Sequence, residues 1–496
     1  MDAPNIVFVF ADQLRYDALA HNGNRTVRTP HLDRLAAEGV VLDQAFSSCP
    51  ICSPYRGQVL TGNYSHVNGV VCNEYRLFDN QRTLAHRLAE HGYRGVYVGK
   101  WHLGHGPYPE RCRYGFDDFL AYNCSHHYYR TAYWRNEAGP FRMVEYAPRA
   151  ETRLAIDWIA QHRRDHPGRP FLAMLSWGPP HWTGAGRSAR AYGVYPQEYA
   201  LYDPARVDVP DNVPVQFRDF ATRELADYYA MVTSLDDQMG VLLAGLDRMG
   251  LTGETIVCFS SDHGDHLSAH GYGKPGDPWM DPTMSMSKAT PYEESIHIPL
   301  IARGPGVAGG GRRSEVMFNS VDVLPTLMAL AGAAGADGVQ GRDLSHAFRG
   351  VVGDDPDSVY LQILGPGWPD RAKAIGLWRG VRTADFTYAR WHDRGGRRVL
   401  YDRRSDPLEM RNVAAAPDYA EAAQRLEGRL KQWMAETADP FDTGERIGET
   451  EMLNLGQACT SLWGHQKLPP AYARAIAPHY AGFRTGERID PGAATQ

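Results

Sequence analysis

Asn5-Ile6-Val7-Phe8-Val9-Phe10, running on into Ala11-Asp12-Gln13, is the stretch on which the fold turns. A continuous apolar run without polar alternation reads as a strand buried on both faces, as in a parallel sheet covered by helices. Short apolar runs at 94–98, 171–176, 255–261 and 297–302 repeat the pattern. Stretches at 83–90, 150–161, 223–249 and 321–331 lie among them and predict helices. A further helix is predicted over 29–37, with Thr29 as N-cap and Pro30 at its first position. Strands alternating with helices predict an α/β fold, a large and mostly parallel central sheet flanked by helices. Chemistry in such sheets collects at the carboxyl ends of the strands. Asp12 and Asp262 each stand just after one.

The rhythm changes near residue 365. Residues 374–390 and 397–402 predict antiparallel strands around Asp393-Arg-Gly-Gly396, a turn signal, and a polar helix follows over about 419–437. The expected organisation is an α/β catalytic domain over 1–365, a smaller antiparallel-sheet subdomain with a helix over 366–440, and an irregular extension over 441–496.

The chain has 496 residues, 43% of them hydrophobic, enough for a large core; its formal net charge of -6 lacks the basic field a nucleic-acid-coating protein needs. No apolar run approaches the roughly 20 residues that span a bilayer. Met1-Asp2-Ala3-Pro4 enters the first strand without a basic leader region. Seven cysteines, an odd number thinly spread, do not suggest a disulfide framework. The expectation is a cytoplasmic protein with no nucleic-acid or membrane partner. A periplasmic or secreted origin is the alternative if a leader has been trimmed.

Cys52-Ser53-Pro54-Tyr55-Arg56, followed by Gly57-Gln-Val-Leu-Thr-Gly62, carries the chemistry. Pro54 suits the first turn of a helix and Gly62 its end. Cys52 then sits near a helix N-terminus, where the dipole favours a thiolate. Taken alone, such a cysteine is more often a buried structural thiol.

Cys-x-Pro-x-Arg followed by Leu-Thr-Gly resembles the signature of the type I sulfatases, in the alkaline phosphatase superfamily. Tyr55 stands where members often carry serine. The resemblance implies that Cys52 is oxidised after synthesis to formylglycine. One oxygen of the hydrated aldehyde would attack sulfur, and the other would expel the sulfate. Pro4–Gln13 and Ser260-Ser-Asp262-His263-Gly264-Asp265 are similar to the family's metal segments, which implies Asp12, Gln13, residue 52, Asp262 and His263 as ligands of one ion, Ca²⁺ first, with Mn²⁺ or Mg²⁺ as alternatives. Gly99-Lys100-Trp101-His102-Leu103-Gly104 resembles the segment whose lysine contacts sulfate and whose histidine handles a formylglycine hydroxyl. Pro179-Pro180-His181 resembles the segment whose histidine faces the leaving group, a general-acid position. Lys288-Ala-Thr-Pro-Tyr292-Glu-Glu-Ser295 is similar to the segment of the second sulfate-binding lysine; Tyr292–Ser295 sets that register in preference to Lys274. The implied fold is the alkaline-phosphatase-like α/β sandwich.

The function expected is hydrolysis of a sulfate monoester, with a sulfated small molecule or saccharide as substrate and a formylglycine-generating enzyme and a second copy of the chain as partners. A phosphodiester or phosphonate monoester hydrolase using the same modified cysteine is the alternative. A monoanionic ester suits one metal with Arg56, Lys100 and Lys288, whereas a phosphate monoester dianion is better served by two metals. A non-catalytic binder of sulfated ligands would be expected to lack one of Cys52, Arg56, Lys100, His102 or His181, and all are present. Residues 121–129 and 276–286 are candidate pocket walls; His126, His127, Tyr128 and Tyr129 read equally as packing.

Overall fold

β1 (Asn5–Asp12) lies at the middle of the main sheet, hydrogen-bonded in parallel on both sides, and its eight residues are all buried. Ile6, Phe8 and Phe10 enter the apolar layer on one face; Val7, Val9 and Ala11 enter the layer on the other. That double burial is the physical reason for the unbroken apolar run. This computed structural model describes residues 3–73, 75–78, 80–184, 190–191, 195–271, 288–364, 376–391 and 396–442.

The sheet's other strands, in chain order, are β2 (Val40–Phe46), β3 (Arg94–Lys100), β4 (Asp118–Tyr122), β5 (Ala132–Arg135), β6 (Ala138–Arg142) and β7 (Phe171–Pro180). A separate ribbon, β8 (Thr183–Gly184) with β9 (Arg190–Ala191), precedes β10 (Thr255–Ser261), β11 (Leu300–Arg303) and β12 (Arg312–Asn319) of the main sheet. Across the sheet the order is β12-β2-β11-β10-β1-β7-β3-β4-β5-β6. The centre, from β10 through β4, is parallel. Towards the edges the pairing is mixed: β11 runs antiparallel to both β10 and β2, β12 lies parallel to β2, and β5 and β6 close the other edge as an antiparallel pair.

Helices Pro30–Glu38, Ala147–Asp165 and Arg218–Arg248 bury their apolar stripes on one face. Cys52–Thr61, Leu84–Ala89 and Val323–Leu330 pack on the other. Thr29 does occupy the N-cap of Pro30–Glu38, but its hydroxyl makes no cap bond and donates to Asp33 instead (3.0 Å). The orphan N–H groups of His31 and Leu32 are taken by Asp236 of the long helix, at 3.1 and 2.7 Å.

A second sheet, β13 (Ser358–Ile363), β14 (Trp378–Thr383), β15 (Phe386–Trp391) and β16 (Arg398–Asp402), is antiparallel throughout. One face takes Leu426, Leu430 and Trp433 of helix Ala420–Glu436. The other packs on Phe46, Ile51, Ala289 and Ile296 of the larger layer. The second sheet therefore supports the immediate neighbours of Cys52 and Lys288. Lys274, the wall 276–286, Asp393–Gly395 and the extension from 443 onward lie outside the described residues. Among those described, no helix is long and apolar enough to cross a membrane.

Candidate active site

The register of β1 against β10 builds the floor of the site. Ala11 pairs with Ser261, so the next residues, Asp12 and Asp262, emerge side by side at the carboxyl ends. The Gln13 N–H donates to Asp262 Oδ1 (2.9 Å), and the Asp262 N–H to Ala11 O (3.1 Å). Gln13 holds a left-handed backbone, φ 73°, as does His102 at φ 56°. Such conformations cost non-glycine residues on the order of 1–3 kcal/mol and collect at functional sites.

Both carboxylates are fully buried. Burial pushes Asp12 up, but Lys100, His181, Lys288 and Arg56 together hold it well below the usual carboxylate range. Asp262 goes the other way, raised by burial and then by the charge of Asp12. Arg56 bridges the pair, Nη2 lying 3.1 Å from Asp12 Oδ2 and 3.3 Å from Asp262 Oδ2. Its Nη1 donates to Lys100 O (2.5 Å), Ser176 Oγ (2.5 Å) and Tyr97 OH (3.2 Å), which fixes the fork. β3 delivers Lys100, whose buried ammonium pairs with Asp12.

Cys52 is the first residue of its helix, which ends at Gly62 in the left-handed conformation that glycine adopts freely. Its Sγ lies 3.2 Å from Lys288 Nζ, 3.3 Å from His263 Nε2 and 3.6 Å from Asp12 Oδ1. Burial and Asp12 oppose ionisation, yet Lys100, Lys288 and His263 hold the thiol well below its ordinary range. Cys49 and Cys258 show the contrast: burial pushes each up to about 12. Cys52 is thus no ordinary buried thiol.

Asp12, Cys52, Asp262 and His263 each offer a ligand atom, all within 4.8 Å of one another. Lys288 Nζ donates to Gln13 Oε1 (3.1 Å), so the amide oxygen belongs to the same cluster. Two buried, mutually repelling carboxylates with an amide oxygen fit a hard divalent cation. His263 donates from Nδ1 to Gly264 O (2.9 Å), which leaves Nε2 facing the cluster. The other such group among the described residues, His31, Asp236 and Asp237, has Asp236 spent on a helix cap.

His102 and His181 complete the wall. His102 is buried, and its N–H donates to Asn123 O (2.7 Å). Burial opposes its imidazolium, but Cys124 holds the proton on, so its affinity lies well above the ordinary value. His181 behaves oppositely: burial, His126 and Lys288 push it far down. Its Nδ1 pairs with Trp182 O (2.7 Å), and its ring stacks on His126 at 3.9 Å. Asp12, Gln13, Cys52, Arg56, Lys100, His102, His181, Asp262, His263 and Lys288 therefore meet in one cluster or its wall.

Sequence reading gave no role to Asp265, whose carboxylate takes the Gln13 amide N–H, nor to Ser176 or Tyr97. It placed Cys124 no more closely than within the candidate wall 121–129, and left His126 open between wall and packing. Tyr128 proves to be packing, its hydroxyl donating to His181 O (2.6 Å).

A family model for the sulfatases matches residues 4–333. The chain belongs to the sulfatase family. A second model, for the C-terminal part of N-sulphoglucosamine sulphohydrolase, matches residues 285–436 of this sulfatase. An ulvan-active sulfatase of Formosa agariphila is 32% identical over 448 residues, 88% of this chain and 82% of its own. A solved Bacteroides thetaiotaomicron structure, described under metabolism of multiple glycosaminoglycans, superposes with a TM-score of 0.77 at 25% identity, covering 90% of this chain and 99% of its own. A phosphonate monoester hydrolase of Agrobacterium radiobacter shares the fold, with a TM-score of 0.68 at 21% identity over 90% of this chain and 98% of its own. The fold is thus the alkaline-phosphatase-like one, and this sulfatase is a sulfuric ester hydrolase.

Proposed function

We propose that this sulfatase acts on a sulfated saccharide through a formylglycine made from Cys52, with one Ca²⁺ held by Asp12, Gln13, Asp262, His263 and residue 52. The observation that carries the reading is the surround of Cys52: one helix N-terminus with Lys288, His263 and Asp12 within 3.6 Å of its sulfur. Ca²⁺ is preferred because most of the donors are hard oxygens. The ion and the hydrated aldehyde supply, respectively, positive charge for the sulfate oxygens and a hydroxyl nucleophile.

The chain's own residues do the remainder. Lys100 and Lys288 set positive charge around residue 52, preorganised for charge that develops on the sulfuryl oxygens. Arg56 neutralises the two aspartates from behind. His102 holds a proton beside residue 52. His181 is neutral in the arrangement seen, with Nδ1–H given to Trp182 O, which leaves Nε2 as the basic nitrogen. A bound sulfate monoanion favours its protonation, and the proton then passes from Nε2 to the leaving oxygen. The saccharide class rests on the relatives, one described under glycosaminoglycan metabolism.

The phosphodiester and phosphonate reading rests on the fold likeness alone. Among the described residues one ligand set surrounds Cys52, which favours a monoanionic ester served by one metal. The test is a panel of p-nitrophenyl sulfate, sulfated monosaccharides and a p-nitrophenyl phosphodiester, assayed with enzyme matured by a formylglycine-generating enzyme. The highest kcat/KM is expected on a sulfated sugar, and a higher value on the diester would overturn the ranking.

A further inference from the structure

We infer that Cys124 is a positioning residue that ties His102 and His181 into one array and so aims the proton that reaches the leaving group. The inference rests on the sulfate-ester reading above. Cys124 follows β4, and this segment runs beside the one that carries His102. Asn123 O accepts the His102 N–H (2.7 Å), and Asn123 Oδ1 accepts the Gly104 N–H (3.2 Å). The Cys124 side chain hydrogen-bonds to His102. Its Sγ also lies 3.4 Å from His126 Nε2. The His126 ring stacks on His181, centroids 3.9 Å apart and planes 10° from parallel. One sulfur thus touches one histidine beside residue 52 and, through a stacked ring, the histidine beside the leaving group.

Two observations bear on this thiol. Of the six described cysteines, Cys124 alone is half-buried and the other five are buried. Burial opposes ionisation, but His102, Lys100 and His126 hold this thiol well below its ordinary range, as a partner of two imidazoles should be held. Conversion of Cys52 leaves Cys124 as the sulfur of this wall. The His181 ring is held by Nδ1 on Trp182 O and by stacking, closely on His126 at 3.9 Å and more loosely on Trp182 at 5.4 Å. Without Sγ the His126 ring can turn about its side-chain bonds, and the stacked face that limits His181 goes with it. Proton delivery to the leaving oxygen then suffers in addition to any loss of support for His102 beside residue 52, and the metal cluster is left intact.

That division makes the role measurable. A good leaving group such as p-nitrophenolate departs with little protonation, whereas a poor one depends on the general acid, whose contribution is about 10²- to 10⁴-fold. The experiment compares kcat on p-nitrophenyl, phenyl and p-methylphenyl sulfate for matured wild type, Cys124→Ala and His126→Phe. The phenylalanine keeps a stacked ring on His181 but removes the nitrogen that faces Cys124. Both variants are expected to lose about tenfold or more on the phenyl and p-methylphenyl esters beyond any loss on the nitrophenyl ester, with KM little changed. An equal loss on all three esters, or none, would overturn the inference. Wild type carrying the aldehyde but inactive on every sulfate ester would instead defeat the functional reading on which it rests.

Discussion

Glu151→Gln should flatten the pH dependence of this protein's stability. Glu151 sits on helix Ala147–Asp165 with no exposed surface, beneath β3, where a side chain on Gly99 would meet its carboxyl group. Oε1 accepts from Tyr122 OH (2.9 Å), while Oε2 has no hydrogen-bond partner among the described residues. Burial outweighs the Tyr122 bond and pushes the acid from 4.5 up to about 8. The folded protein therefore keeps this proton up to about pH 8, while the unfolded chain releases it near 4.5. The stabilisation is fully present below pH 4.5 and fades as the pH rises towards 8. At about 1.4 kcal/mol for each tenfold change in proton affinity, the swing between those limits is on the order of a few kcal/mol. The substituted amide would stay neutral at every pH and keep an oxygen for Tyr122. Urea unfolding of both proteins at about pH 5, 7 and 9 gives the comparison. The variant should gain on wild type steadily as the pH rises. Two stability curves that stay parallel across that range would refute the reasoning.

Arg56→Ala leaves Asp12 and Asp262 facing each other in a buried site, and should cost about 3–5 kcal/mol in urea unfolding of metal-free protein; a near-native midpoint would contradict the pairing. Lys288→Ala removes one cation from Cys52 on an otherwise intact floor, and should lower kcat/KM on sulfate esters about 10²- to 10³-fold with the thermal midpoint nearly unchanged; an unaltered kcat/KM would take Lys288 out of the site's chemistry. Chelator treatment should abolish activity, and Ca²⁺ should restore it at about one ion per chain by elemental analysis; full activity in metal-free protein would remove the ion from the account.

What could be read from the sequence followed burial. β1 and β10 announce themselves because both faces are covered, so Asn5–Phe10 and Thr255–Ser261 are apolar runs with few interruptions. β2 is broken by Asp43 and Gln44, which are half-buried, and its signal fades accordingly. β6 is exposed at every position and carries no apolar pattern at all. The antiparallel pairings of the flanks were hidden for a related reason, since strand direction leaves no trace in one-dimensional hydrophobicity. The site divides likewise. Cys52, Lys100 and Lys288 sit within motifs whose spacing is local. The Cys124–His126–His181 array depends on β3 lying between β4 and β7, so residues following different strands meet only in the folded sheet. Asp265 stood inside a quoted motif, but its role depends on the left-handed turn at Gln13, which the sequence does not display.

The central claim is that residue 52 acts as formylglycine. The direct measurement is peptide mass at residue 52 alongside sulfate-ester turnover, in preparations made with graded amounts of a formylglycine-generating enzyme and in Cys52→Ala. Turnover per chain should rise in proportion to the aldehyde fraction and vanish in the alanine variant. Undiminished turnover in Cys52→Ala, or in protein whose residue 52 is wholly thiol, would contradict it.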